Sequence, residues 1–145
     1  MTKFDAQWVV GFVDGEGCFY VGVNRNPKLR FGYQIQAEFV VVQHIRDIQV
    51  LEGLRHQFGC GQVVVNQSHP FIKGVNGDRY AWRVRDLQHL IEIIIPFFEK
   101  HQFHTKKKIE FQRFRNICLK MNDGLHLTEE GLKEIAALAK SLRFK

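Results

Sequence analysis

Cysteine is scarce in this sequence. Cys18, Cys60 and Cys118 are an odd number without C-x-x-C spacing, which excludes a disulfide framework and a zinc knuckle and implies a reducing compartment. There are 3 prolines in 145 residues, and no repeat or low-complexity run. Long apolar runs are missing too. The best, Leu90 to Phe98, is broken by Glu92 and Pro96 and falls short of the roughly 20 residues of a membrane span. The opening MTKFDAQW lacks the apolar core of a signal peptide and the Arg/Ser bias of a transit peptide. The expectation is a soluble protein made where it works, with no membrane partner and no small-molecule substrate.

What is present suits one globular domain over residues 1–145: 45% hydrophobic and 25% charged residues, enough chain to bury a core without staples. Lys and Arg number 21 against 15 Asp and Glu, a net charge of +6. The surplus is local, because residues 100–120 hold Lys100, Lys106, Lys107, Lys108, Arg113, Arg115 and Lys120 against Glu110 alone. Such a window suits a polyanion partner or a solvated helix face.

Periodicity predicts a short helix over 4–14, with Trp8, Gly11, Phe12 and Gly15 on one stripe. From Cys18 the period becomes two, giving strands through CFYVGVNR and YQIQAEFVVVQ. In the second, Tyr33, Ile35, Ala37, Phe39 and Val41 share one face. A helix over 44–57 follows, then strands through QVVVN and RYAWRV, then helices at about 86–98, 105–120 and 128–142. The order predicts an α+β fold: an αββαββ core at about 4–120 with one antiparallel sheet backed by helices, plus C-terminal helices.

The outward sheet positions are Tyr20, Asn24, Gln34, Gln36, Asn66, Arg79 and Arg83, with the acid Glu38. Amide and guanidinium groups pair bidentately with adenine and guanine edges, so this face suits DNA, although an ordinary wet sheet face remains open. At the strand ends, the Asn24–Arg30 turn (Arg25, Lys28, Arg30) and the Gly74–Asp78 loop are placed to reach outer base pairs or phosphates.

The most informative stretch is Val9-Val10-Gly11-Phe12-Val13-Asp14-Gly15-Glu16-Gly17. Gly11 and Gly15 let a second helix approach closely. Glu16 between two glycines, with a neighbouring carbonyl, offers the hard oxygens that Mg²⁺ prefers, or is a solvated helix end closed by glycine. The stretch resembles the signature of the LAGLIDADG homing endonucleases from Gly11 through Gly17. Phe98-Glu99-Lys100-His101-Gln102-Phe103-His104-Thr105-Lys106-Lys107 resembles the family's second landmark, F-x-K-Y-P-L-x-T-K-K, with His101 and Gln102 replacing Tyr and Pro.

The resemblance implies a saddle-shaped DNA-binding sheet and a divalent-metal-dependent double-strand endonuclease, intron-encoded, in an organelle or a bacterium. It implies Mg²⁺, with Mn²⁺ as substitute and Ca²⁺ supporting binding without cleavage. Glu16 would bind the metal with the Gly15 carbonyl, Gln43 would position water or metal, and Lys107 would lie near the scissile phosphate, with Lys106 its neighbour. A basic residue found in some members falls on Asp47, leaving Arg46 as its replacement or the role vacant. His101 and His104 lack a third ligand and read as surface or phosphate-contacting groups.

One signature per chain implies a homodimer through Trp8, Gly11, Phe12 and Gly15, reading a pseudo-palindromic site with a total charge of about +12, twice +6. A non-catalytic nucleic-acid-binding protein of the same fold, an RNA splicing maturase or a regulator, is the alternative.

Overall fold

The computed structural model describes residues 3–67 and 78–142. Helix α1 spans Ala6–Glu16 and strand β1 spans Gly17–Arg25, with no loop between them. Strand β2 (Tyr33–His44) leads through a 3-10 turn, Ile45–Asp47, into α2 (Ile48–Phe58); β3 (Gln62–Gln67) and β4 (Arg79–Val84) follow. The chain ends in α3 (Leu87–His89), a π-helical turn (Leu90–Ile94), α4 (Ile95–Lys100), α5 (Lys107–Asn122) and α6 (Glu129–Lys140). The sheet is antiparallel throughout in the order β1-β2-β4-β3. The α+β fold class expected from the sequence is the fold observed.

One face of the sheet carries the core. Phe19, Phe39, Trp82 and Val84 are buried there with Val9, Val10 and Val13 of α1 and Leu51 and Leu54 of α2. Phe98, Phe111, Phe114, Ile117, Leu132 and Ile135 complete the same cluster from the C-terminal helices. Phe19 sits among aromatic rings, 5.0 Å from Phe114, 5.1 Å from Phe39 and 5.8 Å from Phe103. Indole N–H of Trp82 donates to Cys60 O at 3.0 Å, so the largest buried ring leaves no donor unpaired.

Three local expectations shift. Helix α1 runs over Ala6–Glu16 rather than 4–14: Asp5 caps its start, accepting from Gln7 N at 2.9 Å and Trp8 N at 3.4 Å, and at its end Gly17 N donates to Val13 O as the chain passes straight into β1. The helix expected over 86–98 is interrupted by the π-helical turn. Pro96 follows that turn, and a proline lacks the N–H that would donate to Glu92 O and crowds that carbonyl, so widening the preceding turn accommodates it. Tyr33 shares the helix-side face with Ile35 yet is 46% exposed, because it lines an open cleft with Leu132 and Ala136 of α6 rather than the packed core. The Gly74–Asp78 loop lies, apart from Asp78, outside the described residues.

Candidate active site and nucleic-acid interface

The junction of α1 with β1 organises the site. Direct passage from helix to strand brings the backbone at residue 17 against the last helical turn; a Cβ on Gly17 would lie 2.5 Å from Val13 Cγ1 and 2.9 Å from Val13 O. Only glycine fits. The C-terminal turn of α1 therefore carries Asp14, Gly15 and Glu16 at the edge of the sheet, with no basic residue in that turn. Unpaired carbonyls make this the negative end of the helix dipole, so two carboxylates there oppose the field.

Asp14 is compensated. Its Oδ2 accepts from His104 N at 3.0 Å and Thr105 N at 3.3 Å, and Thr105 Oγ1 donates to its Oδ1. Thr105 Oγ1 in turn accepts from Lys107 N at 3.2 Å. Upstream, the segment is pinned by Phe103, buried and stacked 4.6 Å from Phe98. This chain of contacts brings Lys107, the first residue of α5, to α1, where its Nζ donates to Gly17 O. Glu16 is exposed and has no hydrogen bond or ion pair among the described residues. Lys106 is exposed, and it is Lys107 that bonds the Gly17 carbonyl. Sequence reasoning missed the role of Asp14 and Thr105, although both stand inside the two landmarks.

Gln43 reaches the same edge. The β1–β2 register pairs Gly17 with Val41, so Gln43 lies two residues further along β2, alongside the end of α1. It is half-buried and pairs with Tyr80 of β4. Arg46 is exposed in the 3-10 turn just beyond, its N–H donating to His44 Nδ1 at 3.1 Å, while Asp47 precedes α2. His101 packs on Phe97 with ring centroids 4.8 Å apart. Among the described residues no group of three or more His, Cys, Asp or Glu is placed to hold a metal ion.

The second face of the sheet carries Tyr20, Asn24, Gln34, Gln36 and Arg83, as the alternation requires, and two side chains there are engaged otherwise than expected. Glu38, expected to face the duplex, is 6% exposed; its Oε1 accepts from Arg83 Nη1 at 2.8 Å and Arg85 Nε at 2.7 Å. Two guanidiniums cover it, which is what allows a carboxylate to sit so deep on an outer face. Arg83 gives its other terminal nitrogen to Asn66 Oδ1, so this pair is also held within the sheet face. Gln36 donates to Ala37 O at 3.1 Å and Arg85 O at 3.2 Å, and Asn26 donates to Gln34 at 3.4 Å. Tyr20, Asn24, Gln34, Asn66 and Arg79 are exposed.

The basic window is less continuous than its sequence. Arg115 pairs with Glu99 at 2.9 Å, Lys120 with Glu134 at 3.0 Å, and Arg113 donates to Ser141 O at 2.6 Å. These three hold α5 to its neighbours on the helical side. Lys100, Lys106 and Lys108 are exposed without a partner among the described residues. In the hairpin, Lys28 and Arg30 are exposed, and Arg25 pairs with Tyr33 on the helix-side face.

On the outside of α1, Phe4, Trp8 and Phe12 stack in succession at 4.7 and 4.9 Å. Trp8 is 43% exposed, and beside it Gly11 and Gly15 are open, a Cβ at either meeting nothing within 4 Å. Phe4 and Phe12 are half-buried against the core, so the stripe is partly exposed, with Trp8 and the two glycine notches as its open part.

Comparison with known proteins agrees with this geometry. The sequence profile of the LAGLIDADG endonuclease family matches residues 9–118. A probable intron-encoded endonuclease 2 of Neurospora crassa is 34% identical over 139 residues, which is 94% of this chain and 29% of that protein. The chain thus spans less than a third of that relative's length. The crystal structure of a homing endonuclease, I-TnaI, superposes with a TM-score of 0.86 at 48% identity, covering 99% of this chain and 90% of that one. I-SmaMI bound to an uncleaved DNA target in the presence of calcium ions superposes with a TM-score of 0.86 at 32% identity, covering 97% of this chain and 45% of that one. With both landmarks, the sheet order and these matches in agreement, the chain belongs to the LAGLIDADG endonuclease family.

Proposed function

We propose that the chain is the cleaving unit of a site-specific, divalent-metal-dependent double-strand DNA endonuclease of the intron-encoded type, acting as a homodimer on a long pseudo-palindromic site. The observation that carries this reading is the exposed Glu16 carboxylate, unpaired among the described residues, at the negative end of α1, with the Lys107 ammonium held on the neighbouring Gly17 carbonyl by the Asp14–Thr105 contacts. The Asp14 contacts stabilise the domain, but nothing among the described residues compensates the Glu16 carboxylate. Opposing the helix dipole costs a carboxylate about 0.3–1 kcal/mol, which a cation bound there would reverse.

The donor set fits a hard divalent ion: one carboxylate and the Gly15 carbonyl, which has no helical partner at the end of α1. Glu16 and Gly15 would hold Mg²⁺, with Mn²⁺ as substitute. Bound there, the ion supplies Lewis-acid stabilisation of charge on phosphodiester oxygens and lowers the pKa of water. Lys107 places fixed positive charge where the phosphate gains negative charge as water adds to phosphorus and the bond to the 3′ oxygen breaks. Gln43, with a donor and an acceptor on one amide, orients the water. The outer sheet face, carrying Asn24, Gln34, Gln36 and Arg79, lies along the duplex and reads base edges. Solved relatives bound to DNA, I-SmaMI and I-LtrWI, support DNA as the partner.

Cutting both strands requires two such sites. The notched stripe of Trp8, Gly11, Phe12 and Gly15 is where the second unit packs, bringing two Glu16 residues together near a two-fold axis. That unit is a second copy of this chain; the match to I-TnaI across 90% of its length favours this over a tandem unit. The test is incubation with a randomised DNA-site library, with Mg²⁺ and then with Ca²⁺. Defined double-strand breaks are expected in Mg²⁺ alone and disappear in Glu16→Gln while binding persists in Ca²⁺. Specific binding with no cleavage under any divalent ion refutes the enzyme reading.

A further inference from the structure

The outer sheet face contains a prebuilt guanidinium that the alternation of β4 does not reveal, because it stands one residue beyond the strand. Continuing the β2–β4 register past Phe39 and Val84 places Arg85 directly across from Glu38. Its Nε donates to Glu38 Oε1 at 2.7 Å, and its side chain remains 59% exposed. No other side-chain partner of Arg85 is present among the described residues, which leaves its two terminal nitrogens available to a further acceptor. Arg83, diagonal to Glu38, presents the opposite case. Its two terminal nitrogens go to Glu38 and Asn66, and its side chain is 23% exposed.

We propose that Arg85 is a specificity-determining residue that reads one guanine in each half-site, and that Glu38 is the positioning residue that aims it. The inference rests on the DNA-endonuclease reading above. With Nε occupied by Glu38, the edge left to Arg85 is the pair of terminal nitrogens, which matches the O6 and N7 acceptors of guanine end-on. An exposed arginine normally loses rotamer freedom on binding; holding the guanidinium by a buried carboxylate removes much of that loss beforehand. Arg83 donates to the same carboxylate oxygen and helps to hold it in place. The group Glu38, Arg83 and Arg85 carries a net +1, so it is attracted to the duplex without gripping phosphates indiscriminately.

The test is binding selection from randomised DNA in Ca²⁺, which requires no cleavage, on the parent chain, Arg85→Ala, Arg85→Lys and Glu38→Gln. The parent is expected to select guanine at one fixed position per half-site. Both Arg85 variants lose that preference, by roughly 5- to 150-fold, at that position alone. Lysine fails because it keeps the charge but not the fork. Glu38→Gln blurs the same position and tightens binding to unrelated DNA, since the group rises to +2. Arg85→Lys carries the test if Glu38→Gln does not fold. A loss spread evenly over all positions in Arg85→Ala, with the salt slope reduced by about 0.9, makes Arg85 a phosphate contact and overturns the inference alone. Sequence-independent binding by the parent overturns this inference and the endonuclease reading together.

Discussion

Asp14 is the residue whose removal separates folding from chemistry. Its carboxylate receives His104 N at 3.0 Å, Thr105 N at 3.3 Å and the Thr105 hydroxyl, and through Thr105 it sets the start of α5 and the aim of Lys107. Hydrogen bonds to charged groups contribute about 1.5–3 kcal/mol each when shielded, and these lie near solvent, so the set is worth about 2–3 kcal/mol. Deleting the carboxylate also removes a misplaced charge from the helix C-terminus and returns about 0.3–1 kcal/mol. Asp14→Ala is therefore expected to cost about 1–2 kcal/mol in urea unfolding. Its effect on cleavage is larger, because a catalytic group displaced by about 1 Å loses on the order of 100-fold in rate. Asp14→Asn sharpens the test. The amide keeps one acceptor for Thr105 Oγ1 but turns an N–H donor toward two backbone donors, so it should perform no better than alanine. The assay is single-turnover cleavage beside DNA binding in Ca²⁺, with the rate falling and binding kept. Asp14→Asn cleaving at the parental rate would refute the positioning argument.

Two further outcomes test other parts of the structure. A Cβ at Gly11 meets nothing within 4 Å, and leucine favours a helix over glycine by up to about 1 kcal/mol, which makes Gly11→Leu the test of the stripe. The variant is expected to hold or raise the unfolding midpoint while converting dimers to monomers in sedimentation equilibrium; a stable dimeric variant contradicts packing through this stripe. Burial pushes the Cys118 thiol from its ordinary value of 9.0 up to about 12. The unfolded chain then loses this proton first, so stability is intact below pH 9 and falls as pH rises toward 12, by about 1.4 kcal/mol per pH unit. Cys118→Ala should flatten that part of the pH profile, and an unchanged slope contradicts it.

Much of the fold could be read from residue order because one face of each strand is apolar at a period of two, even where, as at Glu38 and Val40, the other face is buried as well. Ile35, Ala37, Phe39 and Val41 are buried as the period of two demands, and α6 spans Glu129–Lys140, behind the Thr128 cap expected for it. Where the reading slipped, tertiary context decided. Tyr33 has the right parity for the core but lines an open cleft beside α6, and no local pattern encodes how closely a distant helix packs. The π-helical turn is of the same kind. Its cause, Pro96, is visible, but whether the chain breaks, kinks or widens there depends on Leu90, Ile94 and Ile95 all finding places in one core.

The site was legible through its two landmarks, Gly11–Gly17 and Phe98–Lys107, and the resemblance they carry to a known family. The helix itself was expected to stop at Asp14, so the place of Glu16 in the last turn of α1 came from the fold. Partners distant in sequence were not legible. Asp14 and Thr105 are 91 residues apart, and Arg85 lies 47 residues from Glu38. Composition also misled in one respect, since Arg113, Arg115 and Lys120 count as positive charge in the sequence but fasten α5 to its neighbours in the fold. Charge that is paired within the protein releases no counterions on binding. The salt dependence of DNA binding should therefore follow exposed groups such as Lys28, Arg30, Lys106, Lys108 and Arg79, and not the net charge. An Arg115→Gln variant tests this: its salt slope should match the parent's, whereas Lys106→Gln should lower it.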